Sequence, residues 1–188
     1  HLRTRRQRQM CIRDSNQVWE VDEAIEWIKE LEFADPFFIE EPTSPDDIAG
    51  HKKIKDAIQP IKVATGEMCQ NRIIFKQFIQ GNALDIVQID SCRIGGLNEI
   101  LSVLLLAHKY DKPVWPHAGG VGLCEYVQHI AMIDYLLISC EKNSKRIEYV
   151  DHLHEHFLNP CKVKAGKYSA PLNPVSYTHL RAHETRPY

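Results

Sequence analysis

The sequence predicts an α/β fold with a parallel sheet, of the kind that forms part of a (β/α)8 TIM-type barrel. Short runs rich in β-branched and aromatic residues alternate with longer runs that have the apolar spacing of amphipathic helices, and this alternation is typical of βα units. Each predicted strand ends in an ionisable residue, as the catalytic ends of barrel strands do. No G-x-G-x-x-G follows a strand, so the phosphate turn of a dinucleotide-binding sheet is missing. The strand ends therefore favour a barrel over an open doubly wound sheet.

The predicted elements follow one another from residue 21. A helix is expected over 21–34, where apolar residues recur at helical spacing. The run F-F-I-E-E-P at 37–42 is predicted to be a strand that stops at Pro42, because proline has no N–H to donate to a sheet. Asp46 or Asp47 is expected to cap the next helix. Further helices are predicted at 45–58, 71–80, 97–111 and 123–137, and further strands at 61–67, 86–90, 113–117 and 146–150.

The composition is that of an ordinary globular protein. Of the 188 residues, 44% are hydrophobic and 26% are charged, and the formal net charge of -2 gives no support for binding to nucleic acid or to a membrane surface. No apolar run approaches the roughly 20 residues that span a bilayer. None of the six cysteines has C-x-x-C spacing. We expect five of them to be buried, reduced thiols in the cytoplasm or, in a eukaryote, the mitochondrial matrix: Cys69, Cys92, Cys124, Cys140 and Cys161.

Both ends of the sequence look non-native. M-C-I-R-D-S within 5–15 and V-S-Y-T-H-L within 175–185 can be translated from one DNA stretch read in opposite orientations, which resembles the end sequence of transposon-based library kits. We therefore predict adaptor-like segments at 1–15 and 174–188, with a native domain at 16–173. Residues 1–13 and 175–188 are expected to contribute little to the core.

Two glutamates at adjacent strand ends suggest a metal site. Glu40 and Glu67 offer the hard oxygen ligands that Mg²⁺ takes while it keeps open positions for water and substrate. One such glutamate alone is more often a capping or surface carboxylate, so the interpretation depends on the whole series of strand ends. Glu41 alternates to the opposite face of the strand, and we expect it to have a structural role.

Asp90 and His117 end neighbouring strands and suggest an acid/base pair. A carboxylate beside one imidazole nitrogen fixes the tautomer and makes the other nitrogen a competent acid or base. Two glycines after His117 allow close approach of the backbone. The histidines of D-H-L-H-E-H at 151–156 are spaced i, i+2 and i+4, which fits no single helical face, so a metal site built from those three is not favoured.

Several segments resemble the L-fuconate dehydratases, in the mandelate racemase branch of the enolase superfamily. They are WIKELEFADPFFIEEPTSPDDIAGH, ATGEMCQNRIIFKQ, VQIDSCRIGGLNE, PHAGGVGLCEYVQH and EYVDHLHEHF. The resemblance implies the C-terminal part of the enolase-superfamily barrel, without the N-terminal capping domain and the first strands. It also implies that Glu40 and Glu67 bind Mg²⁺ and that Asp90 and His117 form the catalytic dyad.

The same resemblance implies roles for three more residues. Asp14, in D-S-N-Q, falls in register with the third metal ligand, but it lies inside the adaptor-like segment, so an accidental match is the alternative. Asn16, in the same motif, and Glu148, in the E-Y-V-D-H segment, are expected to bind substrate. The family's second acid/base, a lysine in a K-x-K motif, would precede residue 16.

The activity that the resemblance implies is the Mg²⁺-dependent dehydration of L-fuconate. A base removes the proton next to the carboxylate, and the 3-hydroxyl leaves with acid help from His117, giving 2-keto-3-deoxy-L-fuconate. We expect the 188-residue chain alone to be inactive. The alternatives are another acid-sugar dehydratase or epimerase of the same branch, and a non-catalytic half-barrel that serves as an interaction module. The only partner expected is a small sugar acid. Whether the longer protein forms a homo-oligomer is left open.

Overall fold

The structure, a computed structural model, describes residues 11–141 and 145–172. The chain divides into two compact units, His1–Trp115 and Pro116–Tyr188. The first unit contains β1 (Cys11–Asp14), α1 (Val21–Glu30), β2 (Pro36–Glu40), α2 (Ile48–Ala57), β3 (Lys62–Thr65), α3 (Arg72–Gln80), β4 (Ile86–Val87) and α4 (Leu97–Lys109), with a 3-10 turn at Glu32–Ala34. Among the described residues, no helix is long and apolar enough to cross a membrane.

The first unit is built on a parallel sheet with strand order β1-β2-β3-β4. Its register places the Cα of Asp14 beside that of Glu40 and the Cα of Glu40 beside that of Ala64. A single parallel bridge between Val87 and Val114 extends the sheet by one position. The predicted α/β fold with parallel βα units is therefore confirmed, although the strand expected over 113–117 is reduced to this bridge.

Local capping explains where two helices of this unit begin. Asp47 precedes α2, and its Oδ1 accepts a hydrogen bond from the Gly50 N–H at 2.7 Å, so the second of the two predicted caps is the one used. Asn71 precedes α3, and its Oδ1 accepts hydrogen bonds from the N–H groups of Ile73 and Ile74 at 2.9 and 3.2 Å. These side chains satisfy backbone donors that have no partner inside the helix.

The sheet of the first unit is covered by apolar helix faces. Ala24 and Ile28 of α1 and Ile54 of α2 pack with Ile39 and Val63 of the strands, and all five are at most 1% exposed. Consecutive residues of each strand are buried, Phe38 and Ile39 in β2 and Val63 and Ala64 in β3, as expected where both faces of a parallel sheet are covered.

The second unit contains α5 (Leu123–Ile133), a π-helical turn (Asp134–Ile138), a 3-10 turn (His154–His156) and a hairpin of β5 (Val163–Lys164) with β6 (Lys167–Tyr168). The helix predicted over 123–137 thus changes to π geometry at Asp134. The prediction of a strand at 146–150 is wrong. In that segment the Val150 N–H contacts Cys124 Sγ at 3.3 Å, and the Glu148 carbonyl accepts a hydrogen bond from the Tyr168 hydroxyl, so its backbone groups bond to side chains and not to a neighbouring strand.

Two further expectations need correction. Residues 11–13 were expected to contribute little to the core, yet they belong to β1, an edge strand of the sheet. Main-chain N–H and C=O groups are enough to extend a parallel ladder, so a short segment can pair with β2 whatever its origin. Residues 1–10 and 173–188 lie outside the described part, and the adaptor-like origin of both ends stays a prediction. Of the cysteines expected to be buried, Cys92 and Cys140 are exposed, because they lie in loops rather than in the core.

Candidate active site

The carboxyl ends of β1, β2 and β3 position three acidic residues. Asp14 and Glu40 are the last residues of β1 and β2, and Glu67 follows β3 by two residues. Gly66 makes this last turn possible. Its φ of 133° lies in a region that other residues rarely adopt, and an added Cβ would lie 2.6 Å from the Gln88 carbonyl oxygen. The T-G-E sequence therefore brings Glu67 to the same end of the sheet as Glu40.

Glu40 and Glu67 form the strongest candidate for a cation site in the first unit. Each offers a carboxylate oxygen, these two oxygens lie within 4.8 Å of each other, and both residues are half-buried. Two carboxylates at this separation repel each other, and a cation between them removes that cost. Because both ligands are hard oxygens, the pair fits Mg²⁺.

Neighbouring polar side chains hold these carboxylates in place. The Gln88 amide donates a short hydrogen bond to Glu40 Oε1. The Arg93 guanidinium donates to Glu67 Oε1 at 2.6 Å and lies 3.5 Å from Asp90 Oδ2. Burial alone would lower the pKa of Arg93, but the hydrogen bond to Glu67 and the surrounding carboxylate charges outweigh it, so the pKa is raised. Arg93 therefore stays charged and links the ends of β3 and β4.

Asp90 is buried just beyond β4, and backbone donors fix its orientation. Its Oδ1 accepts hydrogen bonds from the N–H groups of Cys92 and Arg93, at 2.7 and 3.1 Å. Asp90 and His117 belong to different units, so the pairing predicted for them stays a prediction.

In the second unit, His117 lies beside Glu148. Its Nδ1 is 3.0 Å from Glu148 Oε2, and the same oxygen accepts a hydrogen bond from the Ala118 N–H at 2.6 Å. The Gly119 N–H donates to His117 Nε2 at 3.3 Å, and an added Cβ at Gly119 would lie only 2.6 Å from the ring. This close approach is the reason for a glycine after P-H-A. Glu148, predicted to bind substrate, is thus also in position to orient the imidazole.

The D-S-N-Q segment lies at the end of β1. The exposed carboxylate of Asp14 accepts a hydrogen bond from the Asn16 N–H at 2.8 Å. Gln17 donates from its amide to Glu41 Oε1 at 2.6 Å, and Glu41 is only 3% exposed, in agreement with the structural role expected for it. The structure places Asp14 and Asn16 at the sheet end that carries Glu40. Their roles as metal ligand and substrate-binding residue stay predictions.

Sequence reasoning missed Gln88, Arg93 and the contact between Glu148 and His117. The sequence does contain a signal for Gln88. This residue precedes Asp90 by two positions and therefore lies on the same face of an extended chain. Arg93 stands three residues after Asp90, but that spacing does not indicate its ion pair with Glu67. Glu148 is 31 positions from His117 in sequence, and no local pattern joins them.

The comparisons with known proteins identify the family of this chain. Residues 3–174 match the family described as enolase C-terminal domain-like, and the chain belongs to that family. Its α/β fold with a parallel sheet is part of an enolase-superfamily (β/α)8 barrel.

Among individual relatives, the chain is similar to the L-galactonate dehydratase of Hypocrea jecorina, with 59% identity over 160 residues that cover 84% of this chain and 35% of that protein. The crystal structure of human mitochondrial enolase superfamily member 1 superposes with a TM-score of 0.86 at 53% identity, over 89% of this chain and 38% of that one. An L-talarate/galactarate dehydratase from Salmonella typhimurium LT2, liganded with Mg and L-lyxarohydroxamate, superposes with a TM-score of 0.73 at 29% identity, over 89% of this chain and 41% of that one.

The chain thus spans well under half the length of these relatives. The enolase-superfamily assignment is confirmed, and the relatives include acid-sugar dehydratases, one of them with bound Mg. These comparisons do not specifically support the narrower resemblance to L-fuconate dehydratases.

Proposed function

We propose that this chain is the part of a Mg²⁺-dependent acid-sugar dehydratase that carries metal ligands and acid/base residues. The observation that carries the proposal is the pair of Glu40 and Glu67, whose carboxylates approach within 4.8 Å at adjacent strand ends. The dehydratases among its relatives support the reaction class. The whole enzyme's activity belongs to a longer protein.

The proposed substrate is an aldonate of L-galacto configuration, with L-fuconate first and L-galactonate second. L-Fuconate is 6-deoxy-L-galactonate, so the two acids share every stereocentre and differ only in the hydroxyl at C6. The sequence motifs favour L-fuconate, and the name of the Hypocrea jecorina relative favours L-galactonate. A site built to hydrogen-bond a hydroxyl rejects the deoxy analogue strongly, whereas an apolar pocket discriminates weakly against the extra hydroxyl. The choice therefore depends on side chains around C6.

Each residue has a defined part in this proposal. Mg²⁺, when bound, supplies positive charge beside the substrate carboxylate, which makes the neighbouring C–H more acidic. Glu40 and Glu67 would hold the ion, with Asp14 as the third ligand. His117 is proposed as the acid that protonates the leaving 3-hydroxyl, and Glu148, whose Oε2 lies 3.0 Å from Nδ1, would stabilise the imidazolium form. Asp90 is proposed to support the charge of the same imidazole, and Asn16 to contact the substrate.

The compartment and the partner of the protein are proposals as well. The name of the human relative supports the mitochondrial matrix over the cytoplasm for a eukaryotic protein. A small sugar acid remains the only partner that we propose.

A chimera tests the proposal. Residues 16–172 would replace the matching segment of the Hypocrea jecorina L-galactonate dehydratase, which supplies the remaining parts of an enzyme. With Mg²⁺ present, the chimera should convert L-fuconate or L-galactonate to a 2-keto-3-deoxy acid, measured by a colorimetric assay for that product. Glu40→Gln should abolish turnover, because it removes one charged metal ligand.

The matched control is Glu26→Gln, which makes the same change on the exposed face of α1 and should leave turnover unchanged. A folded chimera that turns over no sugar acid would contradict the proposal. Full activity of the Glu40→Gln chimera would remove Glu40 from the metal site.

A further inference from the structure

The second unit contains a buried cluster of two cysteines and a histidine, none of which has a part in the dehydratase proposal. Cys124 lies in the first turn of α5, His154 begins the 3-10 turn, and Cys161 follows Pro160 in the next loop. They are 0%, 8% and 7% exposed, respectively. One ligand atom from each lies within 4.8 Å of the other two.

This set has the chemistry of a zinc site. In tetrahedral Zn²⁺ centres the Zn–S distance is about 2.3 Å and the Zn–N distance about 2.0 Å, which puts the ligand atoms roughly 3.3–3.8 Å apart. The upper bound of 4.8 Å on the separations in the cluster is compatible with these distances. Thiolates and an imidazole select Zn²⁺ over Mg²⁺, because Mg²⁺ prefers oxygen ligands.

Glu125 provides an independent sign that the cluster lacks a partner. Its Oε1 accepts a hydrogen bond from the Cys161 N–H at 3.0 Å and lies 3.6 Å from His154 Nε2. Its Oε2 is buried and has no hydrogen-bond partner in the described part of the chain, and the residue is only 3% exposed. A buried carboxylate oxygen without a partner is costly, and a cation is the partner that removes that cost. Glu125 therefore lies beside the cluster as a buried carboxylate whose charge a cation bound to the cysteines and the histidine would balance.

The histidine is already oriented as a metal-bound histidine would be. His154 Nδ1 lies 3.2 Å from Asp151 Oδ1, and its Nε2 lies on the side of Glu125. Histidine ligands usually donate their other ring N–H to a carboxylate, which fixes the tautomer that leaves a lone pair for the metal.

An entry route for an ion is also present. Cys161 lines a surface pocket together with Gln128, Pro160 and Ser169, so one ligand of the cluster borders solvent-accessible space. The cysteines also have apolar neighbours. Leu123 and Val127 of α5 pack against the two cysteines and keep bulk water from the rest of the cluster.

We propose that Cys124, His154 and Cys161 are the protein ligands of a structural Zn²⁺ site in the second unit. Binding replaces the thiol protons, which leave to solvent, with bonds to the ion. The site ties α5 to the 3-10 turn and to the loop that leads into the β5–β6 hairpin. This proposal is independent of the dehydratase proposal, because it concerns different residues and a different ion.

The test uses the full 188-residue chain in a non-thiol reductant, freed of metal with a chelator. Zn²⁺ should bind with one-to-one stoichiometry in competition with a chromophoric chelator and should raise the melting temperature. Co²⁺, the spectroscopic probe, should give the near-ultraviolet charge-transfer band of cobalt–thiolate bonds and the visible bands of a tetrahedral site. Cys161→Ser should weaken Zn²⁺ binding at least about tenfold, since loss of an outer-sphere partner alone costs 10–100-fold.

Cys140→Ser is the matched control, because Cys140 is an exposed cysteine of the same unit, and its Zn²⁺ affinity should equal that of the unchanged chain. Circular dichroism checks that each variant is folded. The same variants in the chimera, which supplies the missing parts of the barrel, keep the test valid if the isolated chain folds poorly. Equal Zn²⁺ affinity in Cys161→Ser, or a Co²⁺ spectrum without thiolate bands, would overturn the proposal. A Cys124–Cys161 disulfide that persists in reductant and prevents metal binding would overturn it as well.

Discussion

Breaking the buried ion pair between Lys55 and Asp85 should destabilise the first unit strongly. Lys55 Nζ, on α2, lies 2.9 Å from Asp85 Oδ1, just before β4, and the two side chains are 6% and 20% exposed. Lys55 also donates to Asn82 Oδ1 at 2.6 Å and to the Leu84 carbonyl at 3.1 Å. The variant Lys55→Met keeps most of the apolar stem but removes the charge and all three contacts.

We expect Lys55→Met to lower the free energy of unfolding by about 3 kcal/mol, the lower end of the range for breaking a buried pair. The lower end applies because Asp85 is partly exposed and keeps a second partner, the Val63 N–H, which donates to its Oδ2 at 3.0 Å. Urea denaturation followed by tryptophan fluorescence measures the difference. The double variant Lys55→Met/Asp85→Asn should recover part of the loss, because it leaves no unpaired buried charge.

The chain offers a matched control in the pair of Lys53 and Asp22. Its Nζ–Oδ1 distance is 2.6 Å, but the side chains are 61% and 79% exposed. Lys53→Met should therefore cost less than about 1 kcal/mol. Equal losses for Lys55→Met and Lys53→Met would refute the argument that burial decides the strength of these pairs.

Two further perturbations follow from the backbone and from a buried histidine. Gly66→Ala should destabilise the chain by about 2 kcal/mol in thermal or urea unfolding, because it combines a strained positive φ with a clash against the Gln88 carbonyl. Gly96→Ala has a positive φ but meets no atom within 4 Å, so it should cost less, and the opposite order would contradict the steric argument. Burial lowers the pKa of His51 from 6.5, so below about pH 6.5 the unfolded chain binds a proton that the folded chain accepts less readily. Stability should therefore fall as the pH drops from 6.5. His51→Asn should flatten this dependence of stability on pH, whereas His152→Asn, at an exposed position, should leave it unchanged. An unchanged pH dependence in His51→Asn would contradict this.

Local patterns predicted that β2, β3 and β4 exist, but not β1 and not the residues at which β3 and β4 end. Pro42 predicts that β2 stops before it, and the strand ends at Glu40. Glu41 has a positive φ of 46° and has left the strand, so its position does not follow from the alternation that the sequence predicted. T-G-E was predicted as the end of a strand over 61–67, whereas β3 ends at Thr65 and Gly66 turns the chain.

Contacts between distant segments could not be predicted. Gln88 is 48 positions from Glu40, to which it donates, and the cysteines and histidine of the second unit are separated by 30 and 7 positions. The segment 146–150 shows the opposite error. Its β-forming residues predicted a strand, but strand formation needs a neighbouring backbone, and in this segment the Val150 N–H contacts a cysteine sulfur instead.

The two candidate metal sites differ in ligand type, so each is expected to select a different ion. Glu40 and Glu67 offer half-buried carboxylate oxygens, which suit an ion that keeps bound water and exchanges ligands with a substrate. Cys124, His154 and Cys161 offer buried sulfur and nitrogen, which suit an ion that stays in place and closes its coordination with protein groups. A chelator that removes Mg²⁺ quickly from the first site should therefore leave the second loaded much longer. Activity that is lost on brief chelation and restored by Mg²⁺ alone would therefore depend on the glutamate pair. A loss of stability that only Zn²⁺ reverses would depend on the cysteine cluster.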